Sequence, residues 1–302
     1  MLYPSTCIIR DFACTATLLL MTTAAVFAAA DDARLEQLPP EQRELAEWLN
    51  VFTDQMDEKY FGRVGKLNDE LVFEDRAFST EWSDHEVRVT RGEVMQKAGR
   101  LYAMGKKQRA ERGGREILWS RFYAIDMHPR TPLVGMLHAA IVLQFYGDGS
   151  SLAGGWLGVM PGTKVDEDLA LLKQVTDDYF AGTEVDLSIY RKLVCKGTDD
   201  TVTEFRRQPA CIGASFYGPP VYRGDTEKSI KFIAGMYDVF VGTYVDIVEK
   251  RADDSYTEAD LRAQDGMRKR WLIDQLFSDP YSSAQIPFEV HWFWNAAPVV
   301  RF

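Results

Sequence analysis

Two of the chain's four histidines, His128 and His138, stand ten positions apart around the run Met127-His128-Pro129-Arg130-Thr131-Pro132. Histidine exchanges a proton near neutrality and is the commonest metal ligand, so this pair is the first place to look for chemistry. The run reads equally as a turn, and a strand histidine as a hydrogen-bonded core residue. Two histidines ten apart make no metal site by themselves, and no Cys-x-x-Cys pair or Cys/His zinc spacing accompanies them. No metal is therefore expected. No Gly-x-Ser-x-Gly elbow, phosphate loop or His-Glu-x-x-His helix is present either. Gly147-Asp148-Gly149 reads as a hairpin turn and Gly154-Gly155 as a strand irregularity. The acid pairs Asp177-Asp178, Asp199-Asp200 and Asp253-Asp254 read as solvated surface, and Trp292-Phe293-Trp294 as core or dimer interface.

The chain around these residues has 302 positions, 46% of them apolar and 12% aromatic, enough for a substantial core. A net charge of −10, with no basic run longer than Arg268-Lys269-Arg270, argues against nucleic acid or an anionic membrane surface as partner. Phe12 to Ala30 carries no charge and ends in Ala28-Ala29-Ala30 before Asp31-Asp32. Such a segment reads as a secretory signal peptide over residues 1–30, cleaved after Ala28 or Ala30. The expected product is an exported (periplasmic or secreted) chain with no stable membrane span. Cleavage would remove Cys7 and Cys14 and leave Cys195 and Cys211, which either remain separate buried thiols or pair across 15 residues. A bridge of that length contributes about 3 kcal/mol in the chain-entropy model.

Residues 31–43 read as a polar linker, and Leu45, Trp48, Leu49, Phe52 and Met56 then recur at helical spacing. Val87 and Val89 alternate with polar residues and turn at Arg91-Gly92 towards Val94, predicting a hairpin. Residues 105–116 read as a basic, Gly-containing loop. Strands are expected over Ile117–Met127, Val134–Tyr146, Leu152–Met160 and Ala210–Tyr217, with a last aromatic strand over Ile286–Trp294. Thr163 with Asp166, and Thr257 with Asp260, predict capped helices, and a third, long helix carries Ile230, Ile233, Tyr237, Phe240, Tyr244 and Val248. The fold class is therefore α+β, a broad antiparallel sheet flanked by helices, in a single domain over residues 31–302.

The order of short blocks along the chain carries a resemblance. Trp82 precedes Arg88-Val89, Gly92-Glu93-Val94 and Lys97-Ala98-Gly99, and the two-histidine segment follows. Ala153-Gly154-Gly155 then leads to Pro161, with Ile212-Gly213 beyond it. The block Tyr244-Val245-Asp246-Ile247-Val248-Glu249-Lys250-Arg251 comes next, then Tyr256-Thr257-Glu258, Gln264 and Arg268-Lys269-Arg270-Trp271. From about Trp82 onward this pattern resembles oxygen-dependent coproporphyrinogen III oxidase. The Tyr-x-x-Ile-Val-Glu-x-Arg block and the His-Pro-Arg/His spacing are its most specific parts. The resemblance implies an antiparallel sheet flanked by helices, a homodimer, and oxidative decarboxylation of two propionates to vinyl groups. Molecular oxygen would be the oxidant and no cofactor would be required.

The same comparison removes most of the family's site. Its His-x-Asn-x-Arg strand reads His138-Ala139-Ala140-Ile141-Val142 here, so Ala140 and Val142 replace the Asn and Arg that should share a face with His138. The other face, with Leu137, Ala139, Ile141, Leu143 and Phe145, must be core. Ala124 stands where a serine is expected, and Gly158 where the central aspartate of the Gly-rich block would fall. Both acids that close the Ile-Gly block are missing, the arginine before that block is absent although Arg206 and Arg207 lie nearby, and Pro280 takes the place of a further arginine. Of the four histidines that assist a metal in some bacterial members, His128 and His138 match, while Leu171 and Phe205 occupy the other places. The resemblance makes His138 the catalytic candidate and Ala124, His128, Arg130, Ala140, Val142 and Gly158 the substrate-facing positions. Removing an arginine from a buried carboxylate site typically costs ~2–5 kcal/mol, so the usual reaction is not expected. The leading expectation is a non-decarboxylating relative with an enlarged apolar cavity and a tetrapyrrole ligand at His138. The alternatives are an active oxidase rebuilt from Arg88, Lys97, Arg130, Arg206 and Arg207, and a non-catalytic interaction protein.

Overall fold

The computed structural model describes residues 33–107, 114–195, 207–275 and 286–301. The expected signal peptide lies outside these residues, as do Arg206, Phe205, Pro280 and half of the basic loop, whose ends meet at a Lys107–Glu116 bridge.

Helix α1 (Pro40–Asn68) begins inside the expected linker because Pro40 supplies a φ suited to the first helical turn. It ends at Asp69, a left-handed residue with φ 54°. Its apolar stripe runs past Met56 through Tyr60, Phe61 and Val64, all buried. Among the described residues seven strands follow: β1 (Glu74–Ser79), β2 (Ser83–Thr90), β3 (Met95–Gly105), β4 (Ile117–Pro129), β5 (Met136–Tyr146), β6 (Ser151–Met160) and β7 (Ala214–Ser215). They form one antiparallel sheet in chain order, a meander of neighbouring strands. Helices α2 (Asp166–Ala181) and α3 (Leu187–Cys195) connect β6 to β7. Helix α4 (Thr226–Arg251), helix α5 (Glu258–Ile273) and the short helix α6 (Phe288–Trp294) complete the chain.

Period two along the strands gives the sheet two different faces. Tyr123, Ile125 and Met127 of β4, with Leu137, Ala139, Ile141, Leu143 and Phe145 of β5, join the main apolar core beneath α1, α2 and α4. The expected core face of β5 is thus observed residue by residue. The opposite face lies under α5 and α6, where Met136, Trp156 and Met160 meet Met267 and Trp271, and where Ala124, Ala140 and Val142 meet Val290, Phe293 and Trp294. We refer to the first as the helix-rich face and to the second as the histidine face.

Several local expectations are corrected. Ile286–Trp294 is no strand: Val290, Phe293 and Trp294 are buried while Phe288 and Trp292 are exposed, a helical period that a short aromatic run conceals. Ala210–Tyr217 shrinks to the two residues of β7. Thr163 does not cap α2, whose N-cap is Val165; its hydroxyl donates to Asp260 Oδ1 at 2.8 Å. The Thr257–Asp260 capping box at α5 forms as expected. Cys195 and Cys211 are joined in a disulfide, with Cα atoms 5.1 Å apart. Among the described residues no helix is long and apolar enough to cross a membrane.

Candidate functional site

Strands β4, β5 and β6 lie side by side at the centre of the sheet, and their register brings the histidine face together. Asp126 of β4 is directly opposite His138 of β5, which is itself opposite Gly158 of β6. Ala124 is opposite Ala140, and His128 is opposite Lys97 of β3, just past a bulge between Met95 and Lys97. Six of the seven candidate positions therefore share one face. The exception is Arg130, which follows β4, points to the surface and pairs with Glu93 at 2.6 Å.

The new member is Asp126. Its carboxylate is fully buried and accepts a hydrogen bond from His138 Nδ1 at 2.5 Å, while its Oδ2 has no partner. Burial raises the Asp126 carboxyl above its ordinary range, against the opposing pull of His138, Lys97 and Arg207. Donation through Nδ1 leaves Nε2 as the ring nitrogen carrying the lone pair, and the His138 side chain keeps 12% of its surface exposed. A carboxylate behind an imidazole fixes its tautomer and strengthens it as a base or as a ligand. Asp126 is the one acid of β4, but its pairing with His138 depends on the register.

Three indole rings surround His138: Trp156 at 5.2 Å, Trp271 at 5.5 Å and Trp294 at 6.1 Å between ring centroids. Two glycines make room for them. A Cβ on Gly158 would lie 2.4 Å from the Trp156 ring, and one on Gly99 would lie 2.4 Å from the Trp294 carbonyl and 2.9 Å from its ring. Gly158, at the place where an aspartate is expected, therefore lets Trp156 fold across the sheet. Ala124, Ala140 and Val142 are buried beneath α6. The enlarged apolar cavity expected from these small residues is instead filled by α6 and the tryptophans. The cavity lined by Val134, Leu172, Tyr244 and Ile247 lies on the helix-rich face, and a groove beside Lys59 and Arg63 lies along α1.

Further polar groups are buried around the cage. Lys97 Nζ donates to the Ala296 carbonyl at 2.6 Å, and His128 Nε2 donates to the Asn295 carbonyl at 2.9 Å. Arg268 reaches Gln96 Oε1 at 2.7 Å and the Pro129 carbonyl at 3.3 Å. Burial pushes the Lys97 amine down to about 7 and the His128 imidazole well below its usual value. Arg207 stacks over Trp156 at 5.5 Å and lies 3.5 Å from Asp274. Arg88 faces away, forked onto Asp75. His85 of β2 and His291 of α6 are also buried on this side, so all four histidines gather there. Neither of these last two stood out in the sequence. Among the described residues, no group of three His, Cys, Asp or Glu side chains converges as a metal site, and Leu171 lies exposed on α2.

Comparison of the sequence with family models and with curated proteins yields no match.

Proposed function

We propose that the chain is a divergent coproporphyrinogen III oxidase-like protein that does not perform oxidative decarboxylation. The observation that carries this reading is the closed histidine face. Where propionate-binding polar groups would be needed, Ala124, Ala140 and Val142 lie under α6, and the space above Gly158 holds the Trp156 ring. The seven-stranded antiparallel sheet flanked by helices is the architecture that the block-level resemblance implies, which supports the kinship. An active site rebuilt from arginines is disfavoured, because Arg88 and Arg130 are engaged with Asp75 and Glu93 away from His138. Export and homodimer formation belong to the same reading.

A second reading, a tetrapyrrole held at His138, is favoured by one feature: Asp126 holds Nδ1 and leaves Nε2 as a ligand atom inside an aromatic ring of tryptophans. Such a ligand could enter only with displacement of that cage. Both readings are tested together by incubating the purified chain with coproporphyrinogen III in air and titrating it with haem. The expected result is no vinyl product, with a haem absorbance shift in the wild type that His138→Ala abolishes. Turnover at an oxidase's rate would overturn the first reading. An absent or His138-independent shift would overturn the second and leave an interaction protein.

A further inference from the structure

Lys97, His128 and Arg268 are 2%, 1% and 4% exposed, yet among the described residues no carboxylate lies within ion-pair distance of any of them. Their hydrogen bonds end on neutral oxygens, and His128 Nδ1 and Arg268 Nε have no partner at all. Buried Lys and Arg side chains are ordinarily matched by an anion, because desolvating an unmatched charge is costly, and His128 stands beside them as a further donor. Two consecutive carbonyls take that place here. Asn295 O accepts from His128 Nε2 and from the Trp271 indole N–H at 3.0 Å, and Ala296 O accepts from Lys97. The strap carrying them is anchored by Trp294, whose indole donates to the Gly99 carbonyl at 3.2 Å in the notch that Gly99 leaves.

We propose that Lys97, His128 and the Trp271 indole N–H form a carboxylate-binding site, which the strap Trp294–Ala297 fills with its own carbonyls until an aromatic carboxylate displaces it. Two carbonyl oxygens collecting three donated hydrogen bonds are a neutral stand-in for a carboxylate, which would accept them more strongly. The Trp271 indole borders the site and stays in place when the strap leaves, so a ring attached to the carboxylate gains stacking area. The site stands on these contacts alone and does not depend on kinship with the oxidase.

Gly99→Ala tests it, because the added methyl would collide with the strap and leave Lys97, His128 and Trp271 intact. Trp294→Ala, which removes the anchor without adding bulk, is run beside it in case the first variant fails to fold. Hydrogen exchange over residues 286–297 reports strap release, and calorimetric titration with indole-3-acetate reports binding. We expect faster exchange and at least tenfold tighter binding than wild type in the loosened chains. Lys97→Met or His128→Gln in that background should lose at least tenfold, and indole-3-acetamide should bind at least tenfold more weakly. Unchanged exchange in both variants, no uptake by a loosened chain, or equal binding of the acetamide would overturn the proposal. Because the readout is neither turnover nor haem absorbance, this site and the proposed function fail separately.

Discussion

Each face of the sheet buries an aspartate, and the two are treated differently. On the helix-rich face, Asp57 of α1 meets Arg100 at 3.1 Å and accepts from Tyr123 at 2.9 Å, so both its oxygens are engaged. On the histidine face, Asp126 is engaged through one oxygen only, and Lys97, His128 and Arg268 lie nearby without a carboxylate partner. The first arrangement engages both oxygens, although burial still raises the Asp57 carboxyl; the second leaves one oxygen without a partner. The helix-rich face is thus built for stability, and the histidine face keeps polar groups that apolar side chains would replace at little loss.

Breaking the two aspartates separates the faces most strongly. Asp57→Ala would leave Arg100 buried and unpaired, and should cost ~3–5 kcal/mol in urea unfolding. Asp126→Asn keeps an acceptor for His138 Nδ1–H and removes a buried charge, so its unfolding free energy should change by no more than ~1 kcal/mol. Gly158→Ala, which drives a methyl into the Trp156 ring, should destabilise by ~1–3 kcal/mol and redshift the tryptophan emission as the cage opens. Helix caps provide a comparison in which the faces should not differ. Asp225→Ala at α4 and Thr257→Ala at α5 each lose one side-chain cap, so each should cost ~1 kcal/mol. Trp292→Ser, at an exposed position of α6, should change stability by less than ~0.5 kcal/mol.

The central strands were legible because β4, β5 and β6 are apolar runs bounded by His-Pro and Gly-Asp-Gly turns. Strand β1 was not, since the charged start Glu74-Asp75-Arg76 suits an edge that water reaches and looks like loop. Helix α6 failed for the opposite reason, its dense aromatics satisfying strand and helix patterns alike. His138 and the small residues beside it could be placed on one face by strand period alone. Asp126 as its partner, Lys97 against Ala296, and Trp294 in the Gly99 notch depend on register and on a chain segment nearly 200 positions away. Such long-range pairings leave no local trace in the sequence.

Lys97 gives the most direct test that the histidine face is held at a cost to stability. Its folded value of about 7 lies below its ordinary value of 10.5, so between those limits the unfolded chain holds a proton that the folded chain has released. Stability should therefore rise with pH from about 7 upward, and the full cost of burying the charge should be present below about 7. His128 and His85, also lowered by burial, add a rise of the same sign at more acidic pH, which subtraction of a Lys97 variant removes. The decisive measurement is the unfolding free energy of wild type and Lys97→Met from pH 6 to pH 9. The account predicts that Lys97→Met is at least as stable as wild type at pH 6, and that its advantage shrinks or reverses by pH 9. A variant less stable than wild type by the same amount at every pH would contradict it, placing Lys97 among the groups that stabilise the fold.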